Sequence, residues 1–164
     1  MYTLENYQRL TRQALALVEG ETNLIANLAN VSALLNMELE NINWVGFYLT
    51  DSEYLSDNTQ LVLGPFQGNP ACVRIPMGRG VCGTAAATNS VQRIDDVHQF
   101  EGHIACDAAS NAELVIPFSI NGRLRGVLDI DSPQVGRFSA VDEEGLTFLM
   151  NEIEKVLNSH ANEG

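Results

Sequence analysis

The side chains in this sequence that could do chemistry are three cysteines, two nearby histidines and a group of carboxylates, and the cysteine spacing is what excludes most alternatives. Nine residues separate Cys72 from Cys82 and twenty-three separate Cys82 from Cys106, which matches no zinc knuckle, haem attachment or redox Cys-x-x-Cys pattern. An odd count also argues against a purely structural set of disulfides. Cys106 lies in DVHQFEGHIACDAAS, a stretch with neither helix nor strand period that also carries His98, His103 and Asp107. A thiol on such a loop, with imidazole nearby to favour the thiolate, is placed as a nucleophile. Cys82 follows Gly78-Arg79-Gly80 at a predicted helix start, where free N–H groups and the helix dipole would also favour a thiolate. Cys72, before Val73 and Ile75 on a predicted strand, is the one that packing explains most simply.

The carboxylates come together through a register argument. The segment LVIPFSINGRLRGVLDID reads as a β-hairpin turning at Asn121-Gly122, and the length of the turn decides which side chains share a face. A two-residue turn pairs Ile120 with Arg123 and Leu114 with Asp129, mixing apolar and charged residues. A three-residue loop pairs Ile120 with Leu124, Ile116 with Leu128 and Leu114 with Ile130. Burial selects the second, because each buried aliphatic side chain is worth about 1.5–3 kcal/mol. Its other face then sets Glu113 opposite Asp131 and Val115 opposite Asp129. Like charges across a sheet repel, so three carboxylates gathered there either sit in open solvent or meet a cation. A primary ammonium suits them better than a metal ion, since no histidine shares the face. If Trp44 and Tyr48 lie on that side of the sheet, they add an aromatic wall suited to a thioether or sulfoxide.

Elements able to position these groups are visible on either side of them. Apolar residues recur at helical spacing from Leu4 to Val18, and again through Leu24, Leu28, Val31 and Leu35 after Thr22 as an N-cap. Strand alternation follows at Trp44 to Leu49, Gln60 to Phe66, Ala71 to Pro76, Ala112 to Ile120 and Leu124 to Asp131, with a short helix at about Cys82 to Thr88. A last helix is capped by Ser139, begins with Asp142, Glu143 and Glu144, and buries Leu146, Leu149, Ile153 and Val156. One α+β domain over residues 1–164 is expected, a central antiparallel sheet flanked by N- and C-terminal helices. The 164 residues, 45% hydrophobic and 18% charged, suffice for one core. A net charge of −12 disfavours nucleic acid and anionic membrane surfaces as partners. No apolar run reaches membrane-span length and the start MYTLENYQRLTRQ lacks a secretory layout, so a cytoplasmic protein is expected, in a compartment where disulfides are usually transient and catalytic.

The blocks NWVGFYL (Asn43 to Leu49), LGPFQGNPACVRIPMGRGVCGTAA (Leu63 to Ala86), DDVHQFEGHIACDAAS (Asp95 to Ser110) and GVLDIDSP (Gly126 to Pro133) closely resemble the free methionine-(R)-sulfoxide reductases, a GAF-domain family, over about 90 residues. The resemblance implies a thiol-dependent reductase that converts free L-methionine (R)-S-oxide to methionine. It assigns the attack on sulfur to Cys106, the main resolving role to Cys82, and a second, less uniform role in the relay to Cys72. It assigns Glu113, Asp129 and Asp131 to holding the substrate and Trp44 and Tyr48 to enclosing it. It further implies no bound cofactor and no metal, thioredoxin as the external dithiol reductant, and a homodimer as a common assembly. Met77 and Arg79 depart from the family's usual phenylalanine and lysine without touching a proposed role. Two other readings compete: a non-catalytic GAF sensor of a small molecule or of redox state, and zinc binding through Cys72, Cys82, Cys106 and His103.

Overall fold

The computed structural model describes residues 2–51, 60–102 and 110–163. Two helices open the chain, α1 (Leu4–Val18) and α2 (Leu24–Glu38). Thr3 caps α1 in a reciprocal box with Asn6. The cap of α2 is Asn23, one residue beyond the expected Thr22, with its side chain accepting from the Ala26 N–H at 2.9 Å. Strands β1 (Trp44–Thr50), β2 (Gln60–Gly68) and β3 (Arg74–Pro76) follow, then helix α3 (Gly80–Thr88) and strand β4 (Gln92–Ile94). A single 3-10 turn (Val97–Gln99), the hairpin β5 (Ala112–Ile120) and β6 (Arg123–Ser132), and helix α4 (Ala140–Glu163) complete the described elements.

The strands form one antiparallel sheet in the order β3-β2-β1-β6-β5-β4. Period-two alternation gives it two different faces. Val45, Phe47, Leu49, Leu114, Ile116, Phe118, Leu128 and Ile130 point into a core shared with α1, α2 and α4. Trp44, Tyr48, Leu61, Val115 and Val127 point the other way, into a second cluster with Ile75 and with Val81, Cys82, Ala85 and Ala86 of α3. Helices thus lie on both sides of the central strands, and every residue of β1 is buried. The expected α+β class and antiparallel sheet hold. The expected strand at Ala71–Pro76 is shorter, beginning at Arg74, and β4 is additional to those expected.

The hairpin satisfies two demands that differ by one residue. Over its body Glu113 pairs with Asp131, Leu114 with Ile130, Val115 with Asp129 and Ile116 with Leu128, the register that buries one apolar face. At its tip Ile120 pairs with Arg123, not with Leu124. Asn121 and Gly122 both take positive φ, 55° and 78°, the geometry of a two-residue type I′ turn that Asn-Gly favours. A bulge reconciles the two, because Phe118 pairs with Gly126 but Ser119 with Leu124, leaving Arg125 as the extra residue. Local turn chemistry governs the tip and burial governs the body.

Helix α4 begins as expected, with Asp142 N–H donating to Ser139 Oγ at 3.2 Å and Ser139 N–H donating to Asp142 Oδ2 at 2.8 Å. The Tyr7 hydroxyl also donates to Asp142, and Gly145 provides the close approach that lets α4 lie against that ring, since a Cβ there would fall 2.2 Å from Tyr7 Cγ. No helix among the described residues is long and apolar enough to cross a membrane.

Candidate active site

The register places all three expected carboxylates on the α3 side of the sheet. Across neighbouring strands Trp44, Asp131 and Glu113 form one row, and Gly46, Asp129 and Val115 form the next. Trp44 and Tyr48, two rows apart on β1, share this face, their rings stacked with centroids 5.8 Å apart. Phe66 also stacks on Trp44, at 5.1 Å. Gly46 makes that possible, because a Cβ there would lie 2.3 Å from Phe66 Cβ. The aromatic wall therefore has three rings, of which the sequence reading names two; the third was signalled only by LGPFQG lying on the neighbouring strand.

The carboxylates are not wet. Glu113, Asp129 and Asp131 are 8%, 5% and 9% exposed, which disposes of the open-solvent alternative. Burial raises the Glu113 carboxyl well above its ordinary value, and the charges of Asp129 and Asp131 push it further. Burial also raises Asp129, against hydrogen bonds from Glu113, Cys82 and Asp131 that pull the other way. Oδ1 of Asp129 is buried without a hydrogen-bond partner. Such a group carries a desolvation cost of about 1–3 kcal/mol or more, so the arrangement is built for a donor that arrives from outside. A cationic donor would also remove the mutual repulsion of the acids.

Cys82, the third residue of α3, presses on the same cluster, its thiol donating to Glu113 Oε2 at 3.7 Å. Burial, then the charges of Asp129, Glu113 and Asp131, raise this thiol well above its ordinary value. The thiolate expected from its helix-start position is thus not favoured. A helix terminus contributes about 0.3–1 kcal/mol at most ordinary sites, whereas full burial can move an ionisable group by several kcal/mol. Cys82, Glu113 and Asp129 offer ligand atoms close enough for a metal ion. A metal would require Cys82 to lose its proton in these surroundings, while a primary ammonium needs only the lone pairs of the acids.

Cys72 lies just before β3 in a segment outside any helix or strand, and it is disulfide-bonded, while Cys82 keeps a free thiol. The backbone of that segment is held by the aromatic wall, because Tyr48 Oη donates to the Cys72 carbonyl at 2.9 Å and Trp44 Nε1 to the Asn69 carbonyl at 3.1 Å. His98 sits in the 3-10 turn with its Nε2 bonded to Asn111 Oδ1 at 3.1 Å. Cys106, His103 and Asp107 lie outside the described residues.

A six-stranded antiparallel sheet with helices on both faces, one of them carrying the buried acids and the rings, fits the GAF class, and the GAF domain family model matches residues 23–158. The chain is 59% identical over 157 residues to the free methionine-R-sulfoxide reductase of Escherichia coli strain K12, covering 96% of this chain and 92% of that protein. It is similar to the solved structure of free methionine-R-sulfoxide reductase from Neisseria meningitidis in complex with its substrate, at 39% identity and a TM-score of 0.89, with 98% and 93% of the two chains covered. The reduced form of fRMsr of Staphylococcus aureus shares 52% identity at a TM-score of 0.86, covering 93% of this chain and 95% of that one. The chain belongs to the free methionine-R-sulfoxide reductase family of GAF domains.

Proposed function

We propose that the protein reduces free L-methionine (R)-S-oxide to L-methionine, using its own cysteines and an external dithiol of the thioredoxin kind. The observation that carries this reading is the buried Glu113, Asp129 and Asp131 cluster beside the Trp44, Tyr48 and Phe66 rings. The acids meet the α-ammonium of a free amino acid, and the rings meet its sulfur end. A methionine sulfoxide within a protein chain presents an amide nitrogen instead, which brings no charge to offset the three acids.

Cys106 is the nucleophile in this reading. Its thiolate attacks the sulfoxide sulfur as a proton reaches the oxygen; the oxygen then passes to the Cys106 sulfur while the bond between the two sulfurs breaks, so methionine leaves and Cys106 becomes a sulfenic acid. Glu113 is a suitable proton source, because its raised carboxyl holds a proton to higher pH than an ordinary acid. The sulfenic acid then condenses with a second thiol, losing water and forming a disulfide. The oxidised state of Cys72 and the free, proton-holding state of Cys82 support Cys72 as the first partner, with Cys82 in reserve. A reductant dithiol finally takes up the disulfide by exchange and restores both thiols.

Incubation with separate R and S sulfoxides plus dithiothreitol, with methionine measured, tests the reading. R-selective turnover that is lost in Cys106→Ser is expected. No turnover, or full turnover in that variant, would leave the sensor reading as the better one.

A further inference from the structure

The phenol of Tyr48 and the indole N–H of Trp44 point not at the acids but at the main chain of the segment that carries Cys72. Their donors meet the carbonyls of Cys72 and Asn69 at 2.9 and 3.1 Å. Leu63 N–H meets the carbonyl of Val73 at 2.9 Å. Three carbonyls of the stretch 69–73 are therefore held from β1 and β2, although that stretch forms no ladder of its own. Both aromatic donors are buried, with the rings stacked on one another and each residue only 2% exposed. Fixing a carbonyl fixes the adjoining Cα–Cβ direction, and rotation about χ1 then leaves the cysteine sulfur only three staggered positions. A disulfide demands a narrow range of Cα separations and Cβ directions, so a pinned backbone at Cys72 favours its bond. The Tyr48 hydroxyl keeps its proton across the working range, since burial and then the charge of Asp129 raise it.

We propose that Tyr48 and Trp44 form a clamp that positions Cys72 for disulfide formation, a role separate from enclosing the substrate. Its place in turnover rests on the reading of Cys72 as a thiol of the reducing relay. The Tyr48 ring lies on the substrate's sulfur side while its hydroxyl positions Cys72, and removing that hydroxyl weakens the bond that Cys72 makes.

Redox equilibration tests this without any sulfoxide. Wild type, Tyr48→Phe, Trp44→Phe and Tyr7→Phe are each equilibrated with reduced and oxidised glutathione, a reaction in which two protein thiols and one glutathione disulfide give one protein disulfide and two glutathione thiols. Alkylation and peptide mass then give the fraction of Cys72 in its intramolecular disulfide. The clamp requires an equilibrium constant about tenfold lower in Tyr48→Phe, the scale of one buried hydrogen bond. Trp44→Phe, which keeps a ring in the stack, is expected to fall about threefold or more by the same reasoning. Tyr7→Phe deletes a buried hydroxyl on the opposite side of the sheet and should stay within about twofold of wild type. An unchanged constant in either clamp variant overturns the proposal, as does an equal fall in Tyr7→Phe, which would point to general loosening. A wild type that makes no methionine counts against the proposed function alone, and the glutathione constants still decide the clamp.

Discussion

The Cys82 thiol lies 3.7 Å from Oε2 of Glu113, so a redox-capable group and the charge-binding acids share one buried wall. Burial and, after it, the charges of the acids keep that thiol protonated, and neutralising one acid should ease its ionisation. Asp129→Asn is expected to speed alkylation of Cys82 by iodoacetamide about three- to tenfold at a fixed, mildly alkaline pH. Peptide mass mapping distinguishes Cys82 from the other thiols. An unchanged rate would show that burial alone, without the acids, sets its reactivity.

Asp129→Asn and Asp131→Asn should both raise KM for the sulfoxide steeply, lowering kcat/KM by roughly 10- to 1000-fold, the range expected on removing one partner of a buried charge pair. Folding should survive, because each change also relieves repulsion among like charges. Steady-state kinetics alongside thermal unfolding checks both halves. Normal KM in either variant would mean that the acids do not hold the substrate.

The same acids make stability depend on pH in an unusual direction. Glu113 and Asp129 have folded-state values above the ordinary 4.5 and 3.8, so the folded protein binds protons more tightly than the unfolded chain. That stability is fully present below the ordinary carboxyl range and is lost as pH rises toward the raised folded values. Asp129→Asn removes part of the penalty. Its stability advantage over wild type, without substrate, should therefore widen as pH rises from about 4 toward neutrality, reaching about 1–2 kcal/mol. Denaturant titrations at several pH values measure it, and an advantage that shrinks with rising pH would contradict the sign.

The parts of this site that are legible in the sequence are those set by period-two alternation under burial. Leu114, Ile116, Leu128 and Ile130 demand one face, and Glu113, Asp129 and Asp131 are carried to the other as a consequence. The hairpin tip escapes that reasoning, because Asn121-Gly122 imposes its own turn and a bulge at Arg125 absorbs the one-residue conflict. The state of the Cys82 thiol escapes it for another reason. The helix start is visible locally, but Glu113, which opposes ionisation, is 31 residues away. Strand β4, three residues long, is too short to show a period. The clamp on Cys72 is invisible because its acceptors are main-chain carbonyls, which every residue has.

The order of thiols should show in single turnovers. Cys72→Ser is expected to release about one methionine per protein and then stall, with the sulfenic acid open to trapping by dimedone, because the preferred partner is gone. Cys82→Ser should still close a disulfide and continue with a dithiol. Equal stalling in both variants, or a stall only in Cys82→Ser, would restore Cys82 to the main resolving position.

The central claim is that three buried carboxylates read the free α-ammonium of the substrate. Comparing kcat/KM for L-methionine (R)-S-oxide with that for its N-acetyl derivative tests this most directly, since acetylation removes the charge and leaves the sulfoxide intact. A loss of roughly 100-fold or more is expected, as for a buried charge left unpaired. Values within about threefold of each other would contradict it, because the acids would then contribute almost nothing to transition-state binding.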